Sequence, residues 1–177
     1  ITERVSWLGA IDWERRLFDA LIPLPDGTSY NAYLIEGSEK RVLVDSVDPP
    51  YTETLMAQLQ GVDAIDYVIS HHGEPDHSGA IPAVLEAYPR AQVLATAKGK
   101  EMLTSMLEIP PHRIEAVEDG ESLSLGDRTL QFIHTPWVHW PETMVSYLVE
   151  EELLFSCDLF GSHIATTDLT AVDEGRV

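Results

Sequence analysis

One stretch constrains this chain more than any other. Ser70-His71-His72-Gly73-Glu74-Pro75-Asp76-His77-Ser78-Gly79 packs three imidazoles and two carboxylates into seven consecutive residues. It follows an apolar run, Tyr67-Val68-Ile69, and leads into a helix-like segment from Ala80 to Tyr88. A strand that ends in a donor-rich loop and then enters a helix is where α/β proteins place their chemistry. Read as an extended loop, positions two apart face the same way. His72, Glu74 and Asp76 then converge, with Asp76 and His77 turned to serve a neighbouring position. Such a density of nitrogen and oxygen donors reads as a metal site rather than a solvated turn.

Around this stretch the hydrophobic pattern predicts an α/β chain. Residues 5–8 and 17–22 read as short strands, and 28–35 with 41–45 as an antiparallel hairpin turning at Glu36-Gly37-Ser38. A helix is expected over 51–59, a strand over 66–69 and a helix after Ser78, with Pro82 in its first turn, where the missing N–H costs little. A strand at 92–95 and a helix at 98–107 continue the alternation, and Pro110-Pro111 stops the helix. The remainder is β-rich, with strands expected at 114–117, 122–125, 129–133, 145–149 and 153–156. No repeat or linker interrupts it, so residues 1–177 are expected to form one layered domain with mixed strand directions.

Two later stretches supply further donors. His134-Thr135-Pro136-Trp137-Val138-His139-Trp140-Pro141 is too rich in Pro and Trp to prolong its strand, and reads as a stiff loop presenting His139, with His134 as a second candidate. Phe155-Ser156-Cys157-Asp158 places an acid directly after an apolar strand. Taken alone, each His is more often structural and the Asp more often a cap. Together, three polar loops after three strands would be delivered by a common sheet to one edge. Cys157 reads as a small buried residue, His71 and His134 as supporting or structural residues, and His112 as surface. Imidazole and carboxylate donors suit iron, manganese or zinc, and the carboxylate share leans toward a harder, redox-active pair. The candidates His72, Glu74, Asp76, His77, His139 and Asp158 are too many for one tetrahedral ion. Two metals sharing a bridging carboxylate use them economically.

Charge narrows the partners. With 30 acidic and 11 basic residues the formal net charge is −19, so phosphate backbones and anionic lipid are repelled and neither nucleic acid nor a membrane surface is expected. No apolar run approaches a membrane span. The opening Ile1-Thr2-Glu3-Arg4 shows neither a secretory signal nor an initiator Met, which reads as a trimmed or processed terminus. A lone Cys157 cannot form a disulfide within the chain and fits a reducing, cytoplasmic setting.

H-x-[EH]-x-D-H from His72 to His77, then H-T-P-x-x-H from His134 to His139, then Asp158 after an apolar strand, is similar to the metallo-β-lactamase superfamily. Glu74 in place of a second His, with His139-Trp140-Pro141-Glu142 and Leu154-Phe155-Ser156-Cys157-Asp158-Leu159-Phe160-Gly161, resembles the flavodiiron proteins, also called A-type flavoproteins. Gly9-Ala10-Ile11-Asp12-Trp13 and Gly27-Thr28-Ser29-Tyr30-Asn31-Ala32-Tyr33-Leu34 extend the likeness over essentially the whole chain. The resemblance implies an αβ/βα sandwich with a non-haem di-iron centre that reduces O2 to water, NO to N2O, or both. By position, His72, Glu74 and His139 would bind the iron nearer the flavin, Asp76 and His77 the second iron, and Asp158 would bridge. It further implies electrons from FMN in a C-terminal flavodoxin-like domain, delivered across a head-to-tail homodimer and replenished by rubredoxin or another donor.

The family also draws one more His for its second iron from the later half of the sandwich. His163 is the only His after Asp158 and lies too close to it in sequence to match. A flavodoxin-like domain is absent from these residues. The resemblance therefore implies the N-terminal part of a longer polypeptide, with an incomplete sandwich and poor reductase activity by itself. Two alternatives stand beside it. One is a binuclear zinc hydrolase of the same fold using a metal-bound hydroxide, against which Glu74 argues. The other is a metal-free scaffold or dimerisation domain.

Overall fold

The computed structural model describes residues 1–168; the expected domain end at Val177 lies outside the described residues. Seven short strands come first: β1 (Val5–Trp7), β2 (Ala10–Asp12), β3 (Leu17–Phe18), β4 (Ile22–Pro23), β5 (Thr28–Tyr30), β6 (Tyr33–Glu36) and β7 (Arg41–Val44). Strands and helices then alternate through α1 (Thr52–Gln58), β8 (Tyr67–Ile69), α2 (Pro75–Ser78), α3 (Ile81–Ala87), β9 (Gln92–Ala95), α4 (Ala97–Met106) and β10 (Ile114–Ala116). The last described strands are β11 (Ser122–Ser124), β12 (Thr129–His134), β13 (Met144–Leu148) and β14 (Leu153–Phe155).

These strands make a six-stranded sheet in the order β1-β6-β7-β8-β9-β10 and a four-stranded sheet in the order β11-β12-β13-β14. From β7 to β10 the large sheet is parallel, with helical crossovers, while β1, β6 and β7 pair antiparallel. Parallel strands covered on both faces carry continuous apolar runs rather than alternation. Val42-Leu43-Val44 shows why. Val42 and Val44 point with Ile35, Ile69 and Leu94 into a core shared with Leu130, Phe132, Met144 and Leu148 of the small sheet. Leu43 points the other way, with Leu34, Val68 and Val93, against Leu55, Ile81, Val84 and Leu103 of the helices. Helices, large sheet and small sheet thus stack as the expected sandwich, with two cores separated by one layer of backbone.

Three local expectations are corrected. Residues 17–22 are not one strand but the β3–β4 hairpin, reversed at Asp19 and Ala20, which adopt φ of 49° and 55°. The apolar alternation over this stretch hid the turn, because neither Asp nor Ala signals one strongly. Residues 28–35 break at Asn31-Ala32: β5 pairs with β2, a strand absent from the sequence reading, and β6 moves into the large sheet. Residues 75–78 form a helical turn with Pro75 in its first position rather than an extended loop. Among the described residues, no helix is long and apolar enough to cross a membrane.

Parallel pairing places the C-terminal ends of β7 and β8 on one edge of the large sheet, and β12 and β14, both antiparallel to β13, end together on the small sheet. The Met144 N–H donates to the His71 carbonyl at 3.1 Å, so these two edges meet.

Candidate metal centre

The loop after β8 is held from several sides. Asp45, at the end of β7, accepts from the His71 N–H at 2.8 Å and from the His71 ring Nδ1–H at 2.8 Å. Ser146 Oγ meets the other ring nitrogen at 2.9 Å. His71 is thereby spent on structure, as the sequence reading expected. Ser78 Oγ donates to the carbonyls of Gly73 and Glu74, each at 2.9 Å, and the His77 N–H closes the turn onto the Glu74 carbonyl at 3.0 Å. The turn also packs against Pro49: a Cβ on Gly79 would meet Pro49 Cδ and the Pro75 carbonyl, each at 2.5 Å, so only glycine fits.

Two groups of donor atoms result. His72 Nε2 lies 3.0 Å from Glu74 Oε2, 3.2 Å from His139 Nε2 and 3.7 Å from Asp158 Oδ2. His139 Nε2 completes the set at 3.3 Å from Glu74 Oε2 and 3.5 Å from Asp158 Oδ2. In the second group, His77 Nε2 lies 3.3 Å from Asp76 Oδ2 and 3.0 Å from Asp158 Oδ1. Asp158 thus turns one oxygen to each group. Donors about 2.1 Å from a shared ion stand roughly 3.0–3.4 Å apart along the edges of an octahedron or tetrahedron, which is close to the spacing here. Asp76 Oδ1 is buried without a hydrogen-bond partner, an acceptor left over for a cation. The donor set fits metal ions, with harder oxygen donors making up half of the six residues.

The extended-loop geometry is corrected in one respect. His72 and Glu74 converge on one group, but the helical turn swings Asp76 away to join His77. His139 arrives from the loop after β12, pinned by the Trp137 N–H on the Trp140 carbonyl at 2.8 Å and the Thr135 N–H on the Thr143 carbonyl at 3.0 Å. Asp158 follows β14, where the Gly161 N–H donates to its carbonyl at 2.8 Å.

Protons and charges answer to this crowding. Burial opposes a charge on His72, but hydrogen bonds to Glu142 and Glu74 outweigh it and push the imidazole up to about 9. Burial likewise opposes a charge on His77, and Asp158 and Asp76 push it up to about 9. Asp76 is raised to about 6 by its burial, aided by Glu74 and Asp158. Glu74, bonded to His72, is held below the ordinary carboxylate range. Asp158 is held low too, His77 outweighing its burial.

Three groups were missed or misjudged in the sequence. Glu142, buried three residues beyond His139, accepts from His72 Nδ1–H at 2.7 Å and from the Gly73 N–H at 3.0 Å. Its sequence signals were its place three residues past a candidate His and within the His139-Trp140-Pro141-Glu142 stretch of the resemblance, neither of which pointed to His72. Burial pushes the Cys157 thiol well up, as expected of a small buried residue, but its Sγ also lies 3.4 Å from His77 Nδ1, a contact the sequence did not signal. Asp19, at the β3–β4 turn, has its carboxyl raised by partial burial and by the nearby Glu74. His134 Nε2 meets the Val117 carbonyl at 3.2 Å and stays outside both donor groups. His163 Nδ1 meets Thr28 Oγ1 at 3.0 Å, its ring against Phe18, with burial lowering its basicity. A pocket of about 680 Å³ opens onto the donors, lined also by Phe18, Asp19, Ile22, Trp140, Phe160 and His163.

Known proteins resemble this chain closely. Residues 28–175 match the model of the ODP family beta lactamase. The type A flavoprotein fprA of Rhodobacter capsulatus is 43% identical over 164 residues, covering 90% of this chain and 38% of that protein. A nitric oxide reductase of Moorella thermoacetica is 42% identical over 171 residues, covering 94% of this chain and 43% of that one. The solved rubredoxin oxygen:oxidoreductase of Desulfovibrio gigas superposes with a TM-score of 0.90 at 38% identity, over 95% of this chain and 42% of that chain. The chain spans about two fifths of the length of these relatives.

Proposed function

Since the chain belongs to the ODP family of β-lactamase-like proteins, we propose that it is the metal-holding part of an oxygen or nitric oxide reductase. It is the metallo-β-lactamase-like domain of the flavodiiron proteins. The observation that carries the functional reading is the pair of donor groups joined through Asp158. In this reading His72, Glu74 and His139 hold one iron, Asp76 and His77 hold the other, and Asp158 spans them. Two irons bound there would supply electrons to a diatomic substrate, O2 or NO.

The chain's own residues do the rest. Glu74, Asp76 and Asp158 offset the positive charge of two cations placed close together. Asp45 and Ser78 fix the loop that carries four of the ligands, so that this half of the site is formed before metal arrives. Phe18, Ile22, Trp140 and Phe160 add apolar surface to the pocket, which suits a small uncharged substrate. The names of two similar proteins, rubredoxin oxygen:oxidoreductase and nitric oxide reductase, support this choice of substrates and a rubredoxin-type electron donor. The reading extends to FMN as the immediate reductant, and to a head-to-tail homodimer that brings it to the site.

Glu74→Ala tests the reading. In the intact protein, reduced and supplied with O2 or NO, this variant is expected to lose consumption of either gas while keeping the wild-type circular dichroism spectrum. Unchanged consumption would overturn the assignment.

A further inference from the structure

The two donor groups differ in what stands behind their imidazoles. His72 gives its Nδ1–H to Glu142 Oε1 at 2.7 Å, a carboxylate only 2% exposed. The same oxygen holds the Gly73 N–H at 3.0 Å, and Gly73 lies between His72 and Glu74. Glu142 is itself anchored, its carbonyl accepting from Thr96 Oγ1 at 2.9 Å. The edge of Trp140 closes on the His72 ring, with centroids 4.8 Å apart and planes at 88°. Behind His77 stands Cys157 Sγ, at 3.4 Å, a weak acceptor. Asp45 is near Cys157 and His77, but both its oxygens already accept from His71.

Apart from these supports the groups are matched in anionic charge: each has one carboxylate of its own, Glu74 or Asp76, and each shares Asp158. A carboxylate on the far nitrogen of a ligating imidazole fixes its tautomer and orientation and raises its basicity, effects together worth roughly 10–100-fold in metal affinity. We propose that Glu142 is a positioning residue that makes the His72–Glu74–His139 position the tighter of the two, so that the first metal ion loads there. The inference rests on the two-metal reading above, and deepens it by ordering the two positions.

The test is a calorimetric and optical titration of the metal-free intact protein with Co2+, whose absorption reports each position as it fills. Glu142→Gln removes the charge with little other change, because the amide nitrogen would replace an oxygen, Oε2, that has no partner. The first equivalent is expected to bind roughly 10–100-fold more weakly in Glu142→Gln, with the second little altered. An unchanged first equivalent, or an equal loss in both, would overturn the inference. A second measurement leaves Glu142 untouched. With one equivalent of Co2+, His72→Ala should abolish the initial spectrum and Asp76→Ala should preserve it; the reverse pattern would place the first ion at Asp76 and His77 and overturn the inference. In that case the two-metal reading survives, whereas a wild-type protein that binds neither cobalt nor iron contradicts both.

Discussion

The donors contributed by the large sheet and those contributed by the small sheet are held in different ways. His72, Glu74 and Asp76, from the loop after β8, are 0%, 5% and 8% exposed and sit in a loop knitted by Asp45, Ser78 and Glu142. His139 and Asp158, from the loops after β12 and β14, have side chains 55% and 35% exposed. One half of the site is therefore built into the core of the domain, and the other half leans onto it from the surface. Metal binding would join the two, so ions bound here would act as ties between the sheets.

The sharpest way to break this comparison is to remove one imidazole from each side. His72→Ala is expected to abolish metal retention at its position, whereas His139→Ala, whose place water can fill from the pocket, retains measurable iron by elemental analysis. Equal iron in both variants would contradict the asymmetry. Chelation probes the same contrast without mutation. Hydrogen exchange in the metal-free protein should speed up in residues 135–143 and 156–161 and change far less in residues 70–79, which keep their protein partners. A uniform rise would show that the motif loop too depends on its metals.

Smaller effects sharpen the picture. Gly79→Ala forces a Cβ against Pro49 and the Pro75 carbonyl. It should cost about 1–3 kcal/mol of stability, read as a lowered midpoint in denaturant. Proton bookkeeping gives the finest test. In the metal-free state His72 and His77 are both pushed up to about 9, so near neutral pH each carries a proton that a metal must displace. Loading should release about two protons, falling toward none above pH 9. The sign follows for stability as well: imidazoles raised by carboxylate partners stabilise the metal-free fold below their ordinary value, and that contribution fades as pH rises through about 9. A pH-stat titration with Zn2+ that shows no proton release would contradict it.

Much of this was legible in the residues because the signals were local. The strand–loop–helix around His72 announced itself through apolar runs bounded by polar clusters, and the helices over 52–58 and 97–106 through their periodicity. That six polar side chains would come together was legible through residue type and their place after strands. What was not legible depended on partners distant in sequence. Glu142 reaches His72 across 70 positions, and no spacing rule encodes that contact. The Asp19–Ala20 reversal was hidden because its turn residues adopt positive φ without a glycine to mark them. The helical turn at 75–78 was readable from Pro75 at its first position, and alternation was the wrong period to apply there.

The most direct test is anomalous X-ray scattering at the iron and zinc edges from crystals of the intact protein grown without added metal. The account predicts two iron peaks on either side of Asp158, one among His72, Glu74 and His139 and the other beside Asp76 and His77. Zinc at both positions, or no anomalous density between these side chains, would contradict it.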